Sequence, residues 1–186
     1  MGGPTRRPKP EHMTHLDHRT LVPKDHPRIA FRGWIDRLES ELLLCAFVAL
    51  GEGYPTLAAE LEETLDYVRR LIRADVLGET AQPPNLCGYT ADELREFSHY
   101  PERRFGQGHF LAAPADGLTL LQVNRLRTLV RQAELAGYRA FRGYDGRVSR
   151  PDVMLAMNRL SSLCWIWMIR LKAGLVEREG VPPCSS

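Results

Sequence analysis

The stretch NRLRTLVRQAEL, residues 124–135, decides how the rest of the chain is read. Leu126, Leu129, Val130 and Ala133 recur at the spacing of one face of an α-helix, where each residue turns roughly 100°. Asn124, Arg127, Arg131 and Glu134 form a second, narrow stripe beside the apolar one. An apolar stripe of this kind needs other helices to cover it. The charged stripe has two readings: a solvated edge, or the lining of something.

The same period continues on both sides. Residues 28–50 carry Leu38, Leu42, Cys45 and Leu50 at helical spacing and end at Gly51 and Gly53. Tyr54-Pro55 opens a second helix reaching Leu77, with Leu57, Leu61, Leu65, Val68 and Ile72 in period and Gly78 as its stop. Thr90 and Glu93 have the spacing of a capping box for a short helix, TADELREFSH. Residues 118–141 form a fourth helix. Ser149 is expected to cap a fifth, with Pro151 in its first turn and Ala173 near its end. No segment shows a strand pattern of note. The expected fold is all-α, a helical bundle of four long helices and one short one.

Residues 1–11, MGGPTRRPKPE, read as a flexible basic, Pro-rich arm, residues 12–175 as one bundle domain, and residues 176–186 as a frayed tail. Residues 79–89 read as a loop. Residues 100–117, with two prolines and three glycines, read as a long connection without secondary structure, a kind that is functional or disordered in compact domains.

The 186 residues suit one domain, and 25 basic against 23 acidic side chains leave a net charge of +2. Neither nucleic acid nor a membrane is an expected partner. The apolar runs LLLCAFVAL at 42–50 and LCWIWMI at 163–169 are both too short to cross a bilayer. The four cysteines, Cys45, Cys87, Cys164 and Cys184, form no CxxC pair, and the polar N-terminus does not read as a signal peptide. Reduced thiols in a cytoplasmic protein are expected.

Little chemistry follows from spacing alone. His12, His15 and His18 are three apart and suit metal ligation, but a merely polar segment is the stronger reading. No HExxH motif occurs, and no second ExxH joins Glu96–His99 to make the pair that marks a metal bundle. Asp36, between Ile35 and Leu38, is expected near the border of an apolar face, where it needs a cation. Several cations are equally available to it, Arg127 among them. Asn158 and Ser161 stand at the start of an apolar helix, where they hydrogen-bond a ligand or cap a neighbouring loop; the structural reading is the favoured one.

Three segments in order carry a resemblance. VPKDHPRIAFRGWIDRLES resembles VxKDxPRIxAxGxxDEL of the ATP:corrinoid (cobalamin) adenosyltransferases, RTLVRQAE resembles their RTxxRRAE, and MNRLSSLCW resembles their LNRLSDYLF. MTHL, IRADVLGE, ELREFSHYP, GHFL, NRLRT and RPDVMLAMNRLSS are similar to the ethanolamine-utilisation branch, related to the PduO-type family. The likeness spans about residues 12–172, and six motifs in order are far more specific than any one of them.

The resemblance implies a five-helix bundle in which the Co(I) of cobalamin attacks the 5′-carbon of ATP, releasing triphosphate and giving adenosylcobalamin. ATP, Mg²⁺ and cobalamin are the implied ligands. Arg131 matches the arginine that contacts the ATP phosphates, Asn158 an ATP-contacting asparagine, and Glu134 an acid that orients arginine or ribose. Asp36 matches an aspartate that pairs with the arginine at Arg127. Lys24 matches a phosphate-reaching lysine. Where many relatives have TxxGDxGxT, this chain reads THLDHRTL; Thr14 and Thr20 keep positions, the glycines are gone, and His15 or Arg19 would substitute. Phe110, with Phe105 nearby, matches the phenylalanine that blocks the lower corrin face, so that cobalt loses its lower ligand. Ser98, His99 and His109 fall in motifs of the ethanolamine branch, near the corrin or the closing loop. The catalytic set so implied is Arg131, Phe110, Asp36 and Arg127.

Some members of that branch carry a His–Cys–Cys–Cys cluster ahead of the bundle. Cys87 stands alone and the chain begins after that region, so no metal held by protein side chains is expected. The resemblance further implies a homo-oligomer, most commonly a trimer, with sites between subunits. It also implies a flavoprotein reductant or an adenosylcobalamin-dependent enzyme as partner, and a place in the cytoplasm or a bacterial microcompartment. The competing readings are a corrinoid carrier or escort, and a non-catalytic microcompartment-associated bundle.

Overall fold

The computed structural model describes residues 9–179. Most of the expected N-terminal arm, most of the expected tail, and Cys184 lie outside the described residues. Two short strands, β1 (Met13–His15) and β2 (Leu21–Pro23), precede helices α1 (Pro27–Gly51), α2 (Pro55–Leu77), α3 (Ala91–His99), α4 (Pro101–Phe105), α5 (Leu118–Phe141) and α6 (Pro151–Lys172). The long helices form the bundle: α1 lies between α2 and α5, α5 packs on α6, and α3 covers part of α6. The all-α five-helix bundle expected from the sequence is what the chain forms, with the one-turn α4 added.

The core follows the apolar stripes. Phe31, Ile35, Leu38 and Leu42 of α1 meet Leu57, Leu61 and Val68 of α2, Val123, Leu126 and Ala133 of α5, and Met157, Leu160 and Trp167 of α6. Prolines at the first turn of α1, α2 and α6 start those helices without losing a bond, because the first N–H groups of a helix have no partner. Gly78 ends α2 in the left-handed conformation (φ 70°). Thr90 and Glu93 close the expected capping box on α3.

Four details depart from the sequence reading. The segment 13–23 forms an antiparallel hairpin, with Thr14 opposite Val22. Its strands are too short for alternation to show, and the turn is closed by the Asp17 carboxylate, which accepts from the N–H groups of Arg19 and Thr20 at 2.8 Å each. The connection 100–117 contains α4 and a 3₁₀ turn, Pro114–Asp116, because each has a proline at its first position. Arg150 rather than Ser149 occupies the cap position of α6; the Ser149 hydroxyl donates to the Phe141 carbonyl instead (3.0 Å). Residues 176–179, read as the start of a frayed tail, are held: Val176 is buried and the Glu179 N–H donates to the Gly53 carbonyl at 2.8 Å.

One end of the bundle is locked by a buried carboxylate. The side chain of Asp75 on α2 is fully buried. Its oxygens accept from Arg28 Nη2 at 2.8 Å and Arg32 Nε at 2.9 Å, with Arg150 at 3.8 Å. Arg32 also donates to the Leu16 carbonyl at 2.7 Å and so hooks the hairpin to the bundle. Arg150 binds Asp152 (2.8 Å), which accepts from the Ala81 N–H (2.7 Å). Burial pushes the Asp152 carboxyl up, but the bonds from Arg150, Ala81 and Val153 outweigh it and bring it down to about 2. Among the described residues no helix is long and apolar enough to cross a membrane.

Candidate functional site

The charged stripe of α5 opens into a cleft of about 420 Å³. Arg127 and Arg131 of α5 form one wall and Asn158, Ser161, Ser162 and Trp165 of α6 another. Ser98 and His99 at the end of α3, and His109, Phe110 and Leu111 of the loop before α5, close it. The helical period explains the assembly. Arg127 and Arg131 are four residues apart and share a face of α5, while Asn158, Ser161, Ser162 and Trp165 follow the same rule on α6.

The polar half is arranged around arginine. Neither Arg127 nor Arg131 has a carboxylate within ion-pair distance among the described residues. Arg127 donates twice to Asn124 Oδ1, at 3.1 and 3.3 Å, and its guanidinium lies 5.6 Å from the Trp165 ring centre. Burial, then the neighbouring charge of Arg131, lowers the pKa of Arg127, so its charge is held at a cost. Asn158 is fixed at both ends of its amide: Nδ2 donates to Glu134 at 3.1 Å, and Oδ1 accepts from Arg159 at 2.5 Å.

The other half is aromatic. His109 and Phe110 both lie against the Trp165 indole, with ring centres 5.6 and 5.4 Å away and planes inclined by 16° and 21°. The Lys172 ammonium stands 5.5 Å from the Phe110 ring centre and is ion-paired with Asp116. His109 Nε2 lies 3.3 Å from the His99 carbonyl. A cationic wall facing an aromatic one suits a ligand that is anionic at one end and flat and apolar at the other.

The structure thus brings Arg127, Arg131, Asn158, Ser98, His99, His109 and Phe110 into one cleft, with Glu134 joined to it through Asn158. It does not bring the others there. Phe105 packs edge-on against Phe97, ring centres 6.0 Å apart, and is not part of the lining. Thr14, His15, Arg19, Thr20 and Lys24 lie on or beside the hairpin and do not line the cleft. The hairpin is tied to the Arg28–Arg32–Asp75 end of the bundle, where Arg28 stands over Phe141. From Arg131 to Phe141 along α5 is roughly 15 Å at helical rise.

Asp36 corrects an expectation. It is exposed on α1 and makes no ion pair with Arg127, or with any other cation, among the described residues. Ile35 and Leu38 face the core, and one step of about 100° from Ile35 turns the aspartate out of it. The buried carboxylate that needs cations is Asp75. Its signal was present in the sequence: Asp75 continues the series Leu61, Thr64, Val68, Leu71 on the buried face of α2. Trp165 was also missed, hidden within an apolar run. Among the described residues no three His, Cys, Asp or Glu side chains converge as metal ligands, and His12, His15 and His18 form no such group.

A larger groove of about 970 Å³ lies beside the α5–α6 turn, lined by residues including His26, Tyr138, Arg139 and Arg142. Arg142 is stacked on Tyr138 (5.5 Å), and Tyr144 on its rim is wholly exposed. Arg139 and Arg142 also lack a carboxylate partner among the described residues, but the groove has no stacked wall like that of His109, Phe110 and Trp165, and the smaller cleft is the better candidate.

A sequence profile of the cobalamin adenosyltransferase family matches residues 5–171. Among curated proteins, the chain is 32% identical over 163 residues to corrinoid adenosyltransferase EutT of Escherichia coli strain K12 and 31% identical over 161 residues to that of Salmonella typhimurium strain LT2. Each alignment covers 87% of this chain and 59% of the relative, so the chain spans about three-fifths of their length.

Proposed function

The chain belongs to the cobalamin adenosyltransferase family, and from that premise we propose that it transfers the 5′-deoxyadenosyl group of ATP to the reduced cobalt of a corrinoid. The corrinoid is substrate. Its Co(I) lone pair forms the bond to C5′, the C5′–O bond breaks, and triphosphate takes the electron pair away. The observation that carries this reading is the pair of arginines, one turn apart and without a carboxylate partner among the described residues, on the wall of a cleft whose other wall is aromatic.

Arg131 and Arg127 neutralise the triphosphate as it gains charge; their planar, always-charged forks suit phosphate oxygens. Glu134 holds Asn158 by a 3.1 Å bond, and the pair orients the nucleoside. Phe110 keeps water and the corrinoid's own base from the lower face of cobalt, which makes Co(II) easier to reduce. Mg²⁺ enters with ATP as its phosphate counter-ion.

The site is completed between copies of the chain, with three copies the proposed assembly. Thr14, His15, Arg19, Thr20 and Lys24 of one copy then reach the phosphates bound in the cleft of the next, and Asp36 takes part of the Arg127 fork across the same boundary, which leaves Arg131 as the main phosphate ligand. The exposure of Asp36 and the distance of the hairpin from the cleft support this arrangement. Residues 12–175 are the adenosyltransferase unit in this proposal. Its product would serve an adenosylcobalamin-dependent enzyme of ethanolamine utilisation, in the cytoplasm or within a microcompartment.

The test is optical. Mixing the protein with Co(II) cobalamin and ATP should give the spectrum of four-coordinate cobalt, and adding reductant should release triphosphate and form adenosylcobalamin. Arg131→Ala should lower kcat/KM by about a hundredfold, the loss of one strong charge-assisted contact, with helical content unchanged. Corrinoid binding without triphosphate release would make the protein a carrier and end this reading.

A further inference from the structure

We infer that Trp165 is a positioning residue of the adenosyl-transfer site, setting the plane of Phe110 on the corrin side and holding Arg127 on the nucleotide side; this rests on the function proposed above. Two tryptophans stand two residues apart in α6 and behave differently. Trp167 is fully buried and donates its indole N–H to Glu60 at 2.6 Å. That is a structural tryptophan, with both its area and its polar handle used. Trp165 is half-buried, lines the cleft, and its buried Nε1 has no hydrogen-bond partner. Leaving a donor unpaired costs free energy, and an apolar side chain would pack here without that cost. Packing alone therefore does not account for the indole.

What the indole does have is an extended ring that reaches three groups of the site. His109 and Phe110 lie nearly parallel to it. Because they are consecutive, this stretch of the loop before α5 is docked on one side chain. Lys172 is seven residues further on, two turns along the same face of α6, and meets the Phe110 ring a second time. Of these two α6 contacts, Trp165 alone also touches Arg127. A displacement of the indole moves both the group proposed to cover cobalt and one of those proposed to bind triphosphate. Nucleotide binding and removal of the lower cobalt ligand are then coupled through it, and the coupling is reciprocal: nucleotide favours the four-coordinate corrinoid as much as that corrinoid favours nucleotide.

The experiment compares wild type, Trp165→Phe, Trp165→Leu, Phe110→Ala and the Trp165→Leu/Phe110→Ala double variant. It measures the four-coordinate fraction of bound Co(II) cobalamin with ATP present, and kcat and KM for ATP. Trp165→Leu keeps apolar bulk but no ring. It should lower the four-coordinate fraction and kcat by about tenfold, the size of two lost aromatic contacts, while Trp165→Phe stays within about threefold of wild type. In the Phe110→Ala background the Leu substitution should lower the four-coordinate fraction by less than about twofold, because the partner it positions on that side is already gone, while its effect on KM for ATP through Arg127 remains. Should Trp165→Leu fail to show native circular dichroism, Trp165→Met replaces it in the same cycle with the same expectations. A wild-type-like four-coordinate fraction in the ring-less variant, or an undiminished loss on top of Phe110→Ala, overturns the inference while the proposed function stands. Wild-type protein that gives no four-coordinate cobalt with ATP overturns both.

Discussion

Replacing Asp75 by asparagine removes one charge and almost no volume, at the most connected point of the fold. The carboxylate is fully buried and faces Arg28, Arg32 and Arg150 at 2.8, 2.9 and 3.8 Å. Breaking a buried ion pair from one side costs about 3–5 kcal/mol, mostly because the remaining charge is left uncompensated. Each of the three cations keeps another partner, but only Arg150 keeps a second acid. Arg28 retains the carbonyl of residue 75 at 2.9 Å, and Arg150 retains Asp152. Arg32 keeps only the Leu16 carbonyl, without a second acid. The lower end of the range therefore applies, about 3 kcal/mol, or a fall of roughly 6–12 °C in melting temperature for a domain of this size. Urea and thermal unfolding followed by circular dichroism measure it, with Glu62→Gln as an exposed control expected to stay within about 0.5 kcal/mol. A cost below about 1 kcal/mol for Asp75→Asn would refute the claim that this carboxylate locks the end of the bundle.

Asp152 titrates near 2 in the folded chain, below the ordinary 3.8, so its contribution is complete above about pH 4 and is lost as the pH falls through 2. Asp152→Asn should cost about 2 kcal/mol at neutral pH and flatten the acid side of the stability profile between pH 4 and about pH 2, checked by urea midpoints across that window. Thr90→Ala opens the capping box of α3 and should cost about 1 kcal/mol, seen as faster amide exchange in the helix that carries Ser98 and His99 to the cleft. Asp36→Ala should weaken self-association in sedimentation and lower the proposed adenosylation, because its proposed partner belongs to another copy.

The helices were legible because period and punctuation agree along most of the chain. Residues 118–141 begin and end where the sequence reading put them, and Pro55 to Gly78 has a proline at one end and a glycine at the other. The hairpin was not legible, since three-residue strands leave no alternation to detect and the turn depends on one aspartate side chain. In the candidate site, residues on regular helices were easy to group: Arg127 with Arg131 follows from helical spacing alone. That Arg127 lies against Trp165 rather than Asp36 depends on how α5 and α6 pack, which one-dimensional pattern does not contain. Asp75 shows the opposite case. A charged residue in apolar register is a strong signal, but it is conspicuous only once the register is followed to the end of α2.

The two arginines on α5 also say something about what the helix gives up. Like charges four residues apart oppose helix formation by a few tenths of a kcal/mol, and Arg127 is further penalised by its partial burial. A glutamate at position 131 would relieve the repulsion and add a favourable pair with Arg127. Stability alone would favour that exchange, and any screen of variants by heat resistance should recover it. On the proposed function the same screen would discard adenosylation, and the middle of α5 would mark where this chain keeps local frustration in exchange for a grip on an anion.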